Sequence, residues 1–428
     1  MEPVQVAAFV ILALVAVQLA QFAWFSMWRL RRTVARERMS QTLLAEQIAG
    51  ASELRIQREQ GRLFWNGTRK FEVSRKVSET EDVSSFYLTP HDGKPLPLYR
   101  PGQFLTFQVS ISGQEQRRCF SLSNAPAADC YRVTIKRVPA PRSQPDAPAG
   151  LVSGHFHDQV NQGDLLDVEA PRGSFTLDPE ERRPLVLLAG GVGVTPFVSM
   201  AAAMVAADST LEAWLFYGVR DRKDLVFKAE LDEMVEWHPN LHLVICYSEM
   251  TEEEVTAREN EHAGFITVDL LKTYLDSNNY KFLLCGPPPM MSSLIAALQK
   301  WGVPKDHVLT ESFGPASAKA LTEAAADEAG DESPPESPVP PATVTFSRSV
   351  KSGTWDNSAT NLLEFAERNG VEIASGCRTG SCGTCRVAMK SGNVRYNVRY
   401  NVEADAEHEE GSCLTCIAVP VGELVLDA

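Results

Sequence analysis

The sequence is short of positive charge. It has 41 Lys and Arg residues against 55 Asp and Glu residues, which gives a formal net charge of -14 at pH 7. Proteins that bind nucleic acid need a basic face to neutralise phosphates, so this balance argues against nucleic acid as the main partner. An acidic surface suits a basic redox partner, and it suits solubility equally well.

The sequence also lacks the cysteine pattern of a small secreted protein. Its nine cysteines are odd in number and fall at positions 119, 130, 246, 285, 377, 382, 385, 413 and 416. A disulfide framework spreads paired cysteines through a small domain, whereas the last five here crowd between Cys377 and Cys416. The distribution predicts a reducing compartment and a metal site.

No charged residue occurs between Val4 and Trp28, a stretch rich in Val, Leu, Ala and Phe. It is long enough to span a bilayer, and the tryptophans near its end and Arg29 directly after it suit a membrane interface. No basic residue precedes it, which argues against a cleaved signal peptide. We predict a single-pass transmembrane anchor at residues 1–28 in the cell (inner) membrane, with the catalytic domains in the cytoplasm. The alternative is a buried core helix.

Changes of pattern divide the rest of the chain. Charged and apolar residues at 29–67 predict an amphipathic helical stalk or a short coiled coil. Short strand-like runs between Gly and Pro turns predict an antiparallel β-barrel at 68–180, and alternating strands and helices predict a parallel α/β sheet at 181–315. Residues 316–341 predict a flexible acidic and proline-rich linker, and residues 342–428 a small last domain. Two of the helices predicted in the α/β part are Lys223–Glu236 and Met290–Lys300.

A glycine-rich cysteine loop lies in the last domain. Cys377, Cys382 and Cys385 have Cys-x4-Cys-x2-Cys spacing, which is the plant-type [2Fe–2S] arrangement that a distant fourth cysteine completes. A zinc site or a redox dithiol is the alternative, but zinc sites favour paired short spacings. Cys413 and Cys416 compete for the fourth place. The run Cys413-Leu-Thr-Cys416 resembles the end of plant-type ferredoxins, and the resemblance implies Cys416 as the ligand and an α+β β-grasp fold.

Residues 68–315 resemble the ferredoxin–NADP reductase superfamily, in particular its flavohaemoglobin-reductase and phenol or phthalate oxygenase-reductase branches. The segment Arg118-Cys-Phe-Ser-Leu-Ser123 resembles the family's Arg-x-Tyr-Ser flavin motif. The resemblance implies that Arg118 neutralises flavin phosphate, that Phe120 packs against the isoalloxazine ring, and that Ser121 hydrogen-bonds its reactive nitrogen. Leu122 belongs to the same cofactor-binding segment.

A second segment of this resemblance, Gly150-Leu-Val-Ser153, is similar to one that binds flavin phosphates through backbone N–H groups at a helix start. The resemblance gives Gly150, Val152 and Ser153 that role. A diphosphate site of this kind favours FAD over FMN.

The nucleotide-binding residues are implied by three further motifs. The turn Gly191-x-Gly193-x-x-Pro196 follows a strand and opens a helix, as in a pyrophosphate site, and Thr195 and Pro196 lie near the nicotinamide in the family. The segment Cys285-Gly286-Pro-x-x-Met290 matches another family motif and implies that Cys285 lies beside the position of hydride transfer. Its alternative is a buried structural thiol. The remaining implied contacts are Phe313, which covers the flavin or nicotinamide, and Arg220, near the adenosine ribose.

The parts predict a multidomain oxidoreductase with Ser121, Thr195 and Cys285 as candidate catalytic residues. Electrons would pass from NADH or NADPH to FAD, to the [2Fe–2S] cluster and to a protein acceptor such as an oxygenase or desaturase. One arginine beside Asp221 does not decide the nucleotide, and we favour NADH. The alternatives are a tethered electron-carrier module without useful dehydrogenase activity, or a quinone or ferric reductase.

Overall fold

The computed structural model describes residues 63–140, 149–178, 180–255, 260–313, 340–376, 378, 380, 383–396 and 411–428. The predicted membrane anchor, nearly all of the predicted stalk and linker, and the predicted ligands Cys377 and Cys382 lie outside these residues. Within them, no helix is both long enough and apolar enough to cross a membrane.

The first sheet is an antiparallel barrel. Its strands are β1 (Thr68–Ser78), β2 (Val83–Pro90), β3 (Phe104–Ile111), β4 (Gln114–Ser121), β5 (Tyr131–Lys136) and β6 (Leu165–Glu169). They lie in the order β4-β3-β6-β1-β2-β5, and an antiparallel bridge between Leu122 and Val133 joins the two ends. Inward-facing side chains such as Phe86 and Phe107 pack against Phe156 of helix α1 (Leu151–Asp158). The predicted barrel is confirmed.

The second sheet is parallel throughout. Its strands are β7 (Leu185–Gly190), β8 (Ala213–Val219), β9 (Leu241–Tyr247), β10 (Glu261–Ala263), β11 (Lys281–Cys285) and β12 (Val308–Glu311), in the order β10-β9-β8-β7-β11-β12. Helices α2 (Thr195–Ala206) and α3 (Lys228–Trp237) cover one face, and α4 (Val268–Tyr274) and α5 (Pro288–Lys300) cover the other. Strand β7 is buried at every position because both faces are covered. The strand order changes direction between β7 and β11, and ligands of such sheets bind beside the carboxyl ends of these strands.

Helix α3 begins later than the sequence pattern predicts. In place of one helix at Lys223–Glu236, the structure has a 3-10 turn at Arg222–Asp224 and then α3 from Lys228. Phe227 separates the two elements with a φ of 61°, in the left-handed region where a right-handed helix cannot continue. Asp221 caps the short turn by accepting two backbone N–H groups. The first turn of the predicted helix is therefore a separate loop.

The third sheet is a small mixed sheet with one helix. Its strands are β13 (Ala342–Phe346), β14 (Lys351–Trp355), β15 (Arg386–Tyr396), β16 (Ser412–Leu414) and β17 (Ala418–Leu426), in the order β14-β13-β17-β15-β16. Helix α6 (Leu362–Arg368) is capped by Asn361, whose side chain accepts the N–H of Glu364. Phe365 of α6 packs into the same core as Phe346 and Trp355. This is the α+β arrangement expected of the last domain.

Candidate functional site

One cavity of about 350 Å³ takes residues from all three sheets and their loops. Strand β4 and the start of α1 line one part of it, and the loop before α2 and the end of β12 line another. Gly376, from the cysteine loop of the last domain, completes it. The predicted site residues on its wall are Arg118, Phe120, Ser121, Gly150, Val152, Ser153, Thr195 and Phe313.

The aromatic ring of Phe120 is held by other aromatic rings. Its centroid lies 5.7 Å from that of Phe107 and 5.3 Å from that of Phe156, the latter nearly edge-on. Such contacts fix the ring plane at the cavity wall. Leu122, two residues later, is fully buried in the barrel core and does not reach the cavity. Of the predicted flavin segment, Arg118, Phe120 and Ser121 therefore line the cavity, and Leu122 belongs to the barrel core.

The start of helix α1 is suited to a phosphate. Gly150 precedes the helix, and its own N–H donates to the Val138 carbonyl over 2.9 Å. No side chain caps the first turn, so the backbone N–H groups of that turn, which begins at Leu151, remain available for an anion. A Cβ at Gly150 would lie 2.6 Å from Ser153 Oγ and 2.8 Å from Val138 Cβ, so only glycine fits this approach. Ser153 Oγ donates to the Gly150 carbonyl over 3.0 Å and stabilises the turn. These residues fit the phosphate end of a flavin nucleotide.

Ser121 and Glu311 place a hydroxyl and a carboxyl side by side in the wall. Ser121 Oγ donates to Glu311 Oε2 over 3.5 Å, and Ser121 is buried. Glu311 is half-buried; burial raises its pKa to about 8, and the Ser121 hydrogen bond only partly opposes the rise. The carboxyl group is therefore protonated at neutral pH and can hold or donate a proton within the cavity.

Cys285 lies next to Glu311 but not on the cavity wall. The two residues pair in register between β11 and β12, and Cys285 is fully buried. Burial, with the nearby Glu311 carboxyl as a second cause, raises the pKa of the Cys285 thiol well above its ordinary value. The thiol stays protonated and is a poor nucleophile. Of the three predicted catalytic residues, Ser121 and Thr195 line the cavity and Cys285 does not.

The glycine turn after β7 packs tightly on the end of β11. A Cβ at Gly193 would lie 2.3 Å from the carbonyl oxygen of Cys285, and one at Gly286 would lie 2.5 Å from Cε of Met290. Thr195 opens α2, and its hydroxyl donates to the Val192 carbonyl over 3.0 Å. The predicted nucleotide motifs therefore meet at the carboxyl ends of β7 and β11, although most of their residues, including Gly191 and Pro196, do not line the cavity.

Arg220 lies just beyond the end of β8, away from the cavity. Its Nη2 donates to Asp224 Oδ1 over 2.8 Å, and its Nε donates to the other oxygen of the same carboxylate. The sequence resemblance places this guanidinium near the adenosine ribose. In the structure, the bidentate pair across the 3-10 turn already engages it.

The cysteine loop of the last domain also contacts the barrel. A Cβ at Gly383 would lie 3.5 Å from Nη1 of Arg172. Arg172 in turn pairs with Phe104 through two backbone hydrogen bonds of 2.9 and 3.0 Å, and Phe104 lines the cavity. Gly376, beside the predicted ligand Cys377, lines that cavity directly. The cluster loop therefore abuts the predicted flavin site at two points.

The two candidates for the fourth ligand occupy different surroundings. Cys416 packs in a small buried group with Cys385, Leu363 and Leu414, whereas Cys413 belongs to the main core of the last domain. Thr415 fixes the first group, because its backbone N–H and its hydroxyl both donate to the Cys385 carbonyl, over 3.2 and 3.0 Å. These surroundings favour Cys416.

The cysteine loop has an unused polar atom that suits a cluster. Thr384 Oγ1 is buried and has no hydrogen-bond partner within the described part of the chain. A buried hydroxyl of this kind is costly unless something accepts its proton, and cluster sulfur atoms accept hydrogen bonds. Within the described residues, no group of three His, Cys, Asp or Glu side chains could hold a metal. Cys377 and Cys382 lie outside those residues.

Three side chains at or near the site are given no role by the sequence patterns, although Glu311 begins the segment Glu311-Ser-Phe313 that contains the predicted contact Phe313. Glu311 ends an apolar strand at the carboxyl edge of the sheet, and a carboxyl group in that position is the signal that could identify it. Asp224 follows Arg220 at a spacing where opposite charges often pair. Arg172 carries no local signal, because its neighbour Gly383 belongs to another domain.

Three protein families match the chain. Residues 70–177 match the oxidoreductase FAD-binding domain, residues 187–295 the oxidoreductase NAD-binding domain, and residues 352–421 the 2Fe-2S iron-sulfur cluster binding domain. The chain therefore contains all three domains in one polypeptide. Their presence confirms the predicted cofactors, which are FAD, NADH or NADPH, and a [2Fe–2S] cluster.

Individual relatives extend this result. A flavohemoprotein of Rhodopirellula baltica is 38% identical over 253 residues, which are 59% of this chain and 62% of that protein, so the chain spans about three fifths of the relative's length. The FAD/NAD-binding domain of a nitric oxide dioxygenase from Vibrio cholerae is 29% identical, with a TM-score of 0.52 over 58% of this chain and 100% of that structure. CYP116B46 from Tepidiphilus thermophilus is 27% identical, with a TM-score of 0.51 over 84% of this chain and 42% of that structure.

Proposed function

We propose that this chain is an NADH-dependent reductase that passes electrons through FAD and a [2Fe–2S] cluster to a protein acceptor. The shared cavity carries the proposal, since Ser121 of the barrel, Thr195 of the nucleotide domain and Gly376 beside Cys377 all line it. When bound, FAD takes two electrons as hydride and releases them singly, which links a nicotinamide to a one-electron cluster. The residues of this chain bring the three binding sites to one place.

The preference for NADH is supported by the Arg220–Asp224 pair. A 2′-phosphate at this position would have to displace the Asp224 carboxylate from the guanidinium and would be repelled by it. A ribose hydroxyl can instead donate to a carboxylate. The pair therefore favours the nucleotide without the phosphate.

The test uses the full chain loaded with FAD and cluster, mixed anaerobically with NADH. The flavin should bleach first, the cluster signal should follow, and cytochrome c should be reduced as an artificial acceptor. Cys385→Ser is the matched variant, because it removes a cluster ligand and leaves the flavin and nucleotide residues in place. It should still bleach its flavin with NADH but lose cytochrome c reduction.

Two results would contradict the proposal. If the FAD-loaded protein binds NADH and NADPH but its flavin does not bleach, the chain is an electron carrier rather than a reductase. Unchanged cytochrome c reduction in Cys385→Ser would show that electrons leave from the flavin and bypass the cluster. Quinones and chelated iron should be tested as acceptors beside cytochrome c. Faster reduction of either one than of cytochrome c would indicate a reductase that acts without a protein partner.

We propose further that residues 1–28 anchor the chain to the cell membrane, with the catalytic domains in the cytoplasm, and that the acceptor is an oxygenase, a desaturase or a similar redox protein. The uncharged stretch and the arginines directly after it support the anchor. The full chain should stay in the membrane fraction after carbonate washing, whereas residues 29–428 should be released and keep NADH-dependent flavin bleaching. Release of the full chain would contradict the anchor.

A further inference from the structure

An ion pair between a buried arginine and a partly exposed glutamate joins the barrel to the parallel-sheet domain. Arg132 on β5 is the only buried lysine or arginine among the described residues. Its Nη1 and Nη2 donate to Oε2 and Oε1 of Glu230 over 2.8 and 2.9 Å, and Glu230 lies on α3, 98 positions along the chain. A guanidinium that meets a carboxylate through two parallel bonds fixes both distance and orientation. The pair therefore determines how the two domains meet at this point.

On the barrel side, the same guanidinium is tied to the flavin segment. Its Nε donates to Ser123 Oγ over 3.1 Å, and its Nη2 also donates to the Ser123 carbonyl. Ser123 ends the segment that begins at Arg118, and its hydroxyl shares a hydrogen bond of 2.8 Å with Thr134. Thr134 lines the cavity. A continuous series of hydrogen bonds thus runs from Glu230 to the cavity wall.

On the nucleotide side, Arg132 packs against the start of α3. Its guanidinium carbon lies 4.7 Å from the ring centroid of Phe227, the residue that precedes the helix. Phe227 has a φ of 61°, which is unfavourable for a residue with a side chain, so its surroundings must stabilise it. The position of α3 against the barrel therefore depends on the same side chain that is bonded to the flavin segment.

A second polar contact joins these domains at α2. The hydroxyl groups of Tyr99 in the barrel domain and Ser199 on α2 lie 3.3 Å apart. This contact is neutral and single, whereas the Arg132–Glu230 contact is charged and bidentate. Apolar residues at a buried contact are usually at least as stabilising as an ion pair, so stability alone does not account for this pair. What the ion pair adds is a defined relative orientation.

We propose that Arg132 and Glu230 are positioning residues, which hold the nucleotide domain where the nicotinamide can transfer hydride to the flavin. The inference rests on the proposed function. Hydride transfer depends steeply on donor–acceptor geometry, and a displacement of about 1 Å can slow a reaction about 100-fold. A pair that fixes the two domains therefore acts on the rate of the hydride step more than on nucleotide affinity.

The first test measures flavin reduction by stopped flow in the holoenzyme variant Glu230→Gln. The amide keeps the size of the side chain but removes the charge and one acceptor. At saturating NADH, flavin reduction should slow about 10-fold to 100-fold, while the half-saturating NADH concentration changes much less. Electron transfer from flavin to cluster should keep its wild-type rate. The matched control is Asp232→Asn on the same helix, which breaks the ion pair with Lys228 and should reduce its flavin at the wild-type rate.

The second test follows hydrogen exchange of the protein without using its activity. Glu230→Gln should exchange faster on both sides of the contact, in residues 121–134 and in residues 227–237. Asp232→Asn should loosen only the start of α3. Faster exchange in α3 alone for Glu230→Gln would indicate a local helix contact and would overturn the inference.

If Glu230→Gln folds poorly, the conservative variant Glu230→Asp provides the test. Glu230→Asp retains the charge with a shorter side chain and should recover part of the hydride-transfer rate. Wild-type flavin reduction in both variants would overturn the positioning role and leave the proposed function standing. A wild-type enzyme that neither NADH nor NADPH reduces would instead refute the proposed function, and the positioning role with it.

Discussion

Ser121 and Glu311 meet at the cavity wall although 190 positions separate them, with the serine hydroxyl donating to the carboxyl over 3.5 Å. The serine ends β4 of the antiparallel barrel, and the glutamate ends β12 of the parallel sheet. The two domains therefore each contribute one polar group to the same spot. At that point the cavity wall has a hydroxyl group hydrogen-bonded to a carboxyl group whose pKa burial raises to about 8.

The carboxyl of Glu311 should make the protein less stable as pH rises. The folded protein keeps this proton up to about pH 8, whereas the unfolded chain loses it above about pH 4.5. Because the folded state binds the proton more tightly, this group lowers the free energy of unfolding as pH rises through that window. Glu311→Gln should lose this part of the pH dependence, as measured by thermal midpoints between pH 5 and pH 8.

A control for this prediction is Glu249→Gln. Glu249 is also in the nucleotide domain, but it is exposed to solvent. Its variant should keep the wild-type pH dependence. The same slope in wild type and Glu311→Gln would show that the Glu311 carboxyl does not retain its proton.

Removing the Asp224 carboxylate should increase the use of NADPH. Asp224→Asn leaves Arg220 free to bind a 2′-phosphate. One charge-assisted hydrogen bond of this kind typically contributes about 1.5 to 3 kcal/mol, so kcat/KM for NADPH should rise about tenfold or more. Steady-state kinetics with both nucleotides measure the ratio. The double variant Arg220→Gln/Asp224→Asn should lose the gain, and a gain that persists there would locate the effect elsewhere.

Two glycines should respond oppositely to alanine. In Gly193→Ala the new Cβ would lie 2.3 Å from the Cys285 carbonyl oxygen, so the turn must shift. We expect a loss of about 1 to 3 kcal/mol in stability and weaker NADH binding. Gly154→Ala adds a Cβ within helix α1 with no atom inside 4 Å and should raise stability by about 0.5 to 1 kcal/mol. Chemical unfolding and NADH titration measure both, and equal effects would contradict the packing argument.

The fourth cluster ligand should be Cys416. Cys416→Ser should lose the visible absorption and the EPR signal of the reduced cluster, since the serine hydroxyl replaces the thiolate ligand that the cluster needs. Cys413→Ser should retain both, because Cys413 belongs to the main apolar core of the last domain, whereas Cys416 and Cys385 share a separate buried group. The reverse result would assign the ligand to Cys413.

Arg172 should assist transfer from flavin to cluster. Its guanidinium adjoins Gly383 of the cysteine loop, and a loop that binds an anionic cluster is attracted to a cation. Arg172→Gln should slow cluster reduction in stopped flow and leave the preceding flavin reduction unchanged. Higher salt should reduce the difference in cluster-reduction rate between wild type and Arg172→Gln, because this arginine is exposed and exposed charges are screened. A change in flavin reduction alone would place the effect in the barrel.

The sequence by itself determined the cofactors and the order of the domains. The spacing of Cys377, Cys382 and Cys385, and the glycine turn that joins β7 to α2, are local patterns, and a few neighbouring residues are enough to define their backbone geometry. The helix predicted at Met290–Lys300 is observed close to that position, as α5 at Pro288–Lys300, for the same reason. The start of α3 is not, because the left-handed Phe227 depends on Arg132, a residue of another domain.

Only the tertiary structure decided which side chains act together. Ser121 meets Glu311, Arg132 meets Glu230, and Gly376 joins the flavin cavity through contacts between residues far apart in the chain. The raised pKa of Glu311 likewise follows from burial, which no local pattern specifies. Motif spacing is set by bonded geometry within a loop, whereas these pairings are set by how three folded domains pack against one another.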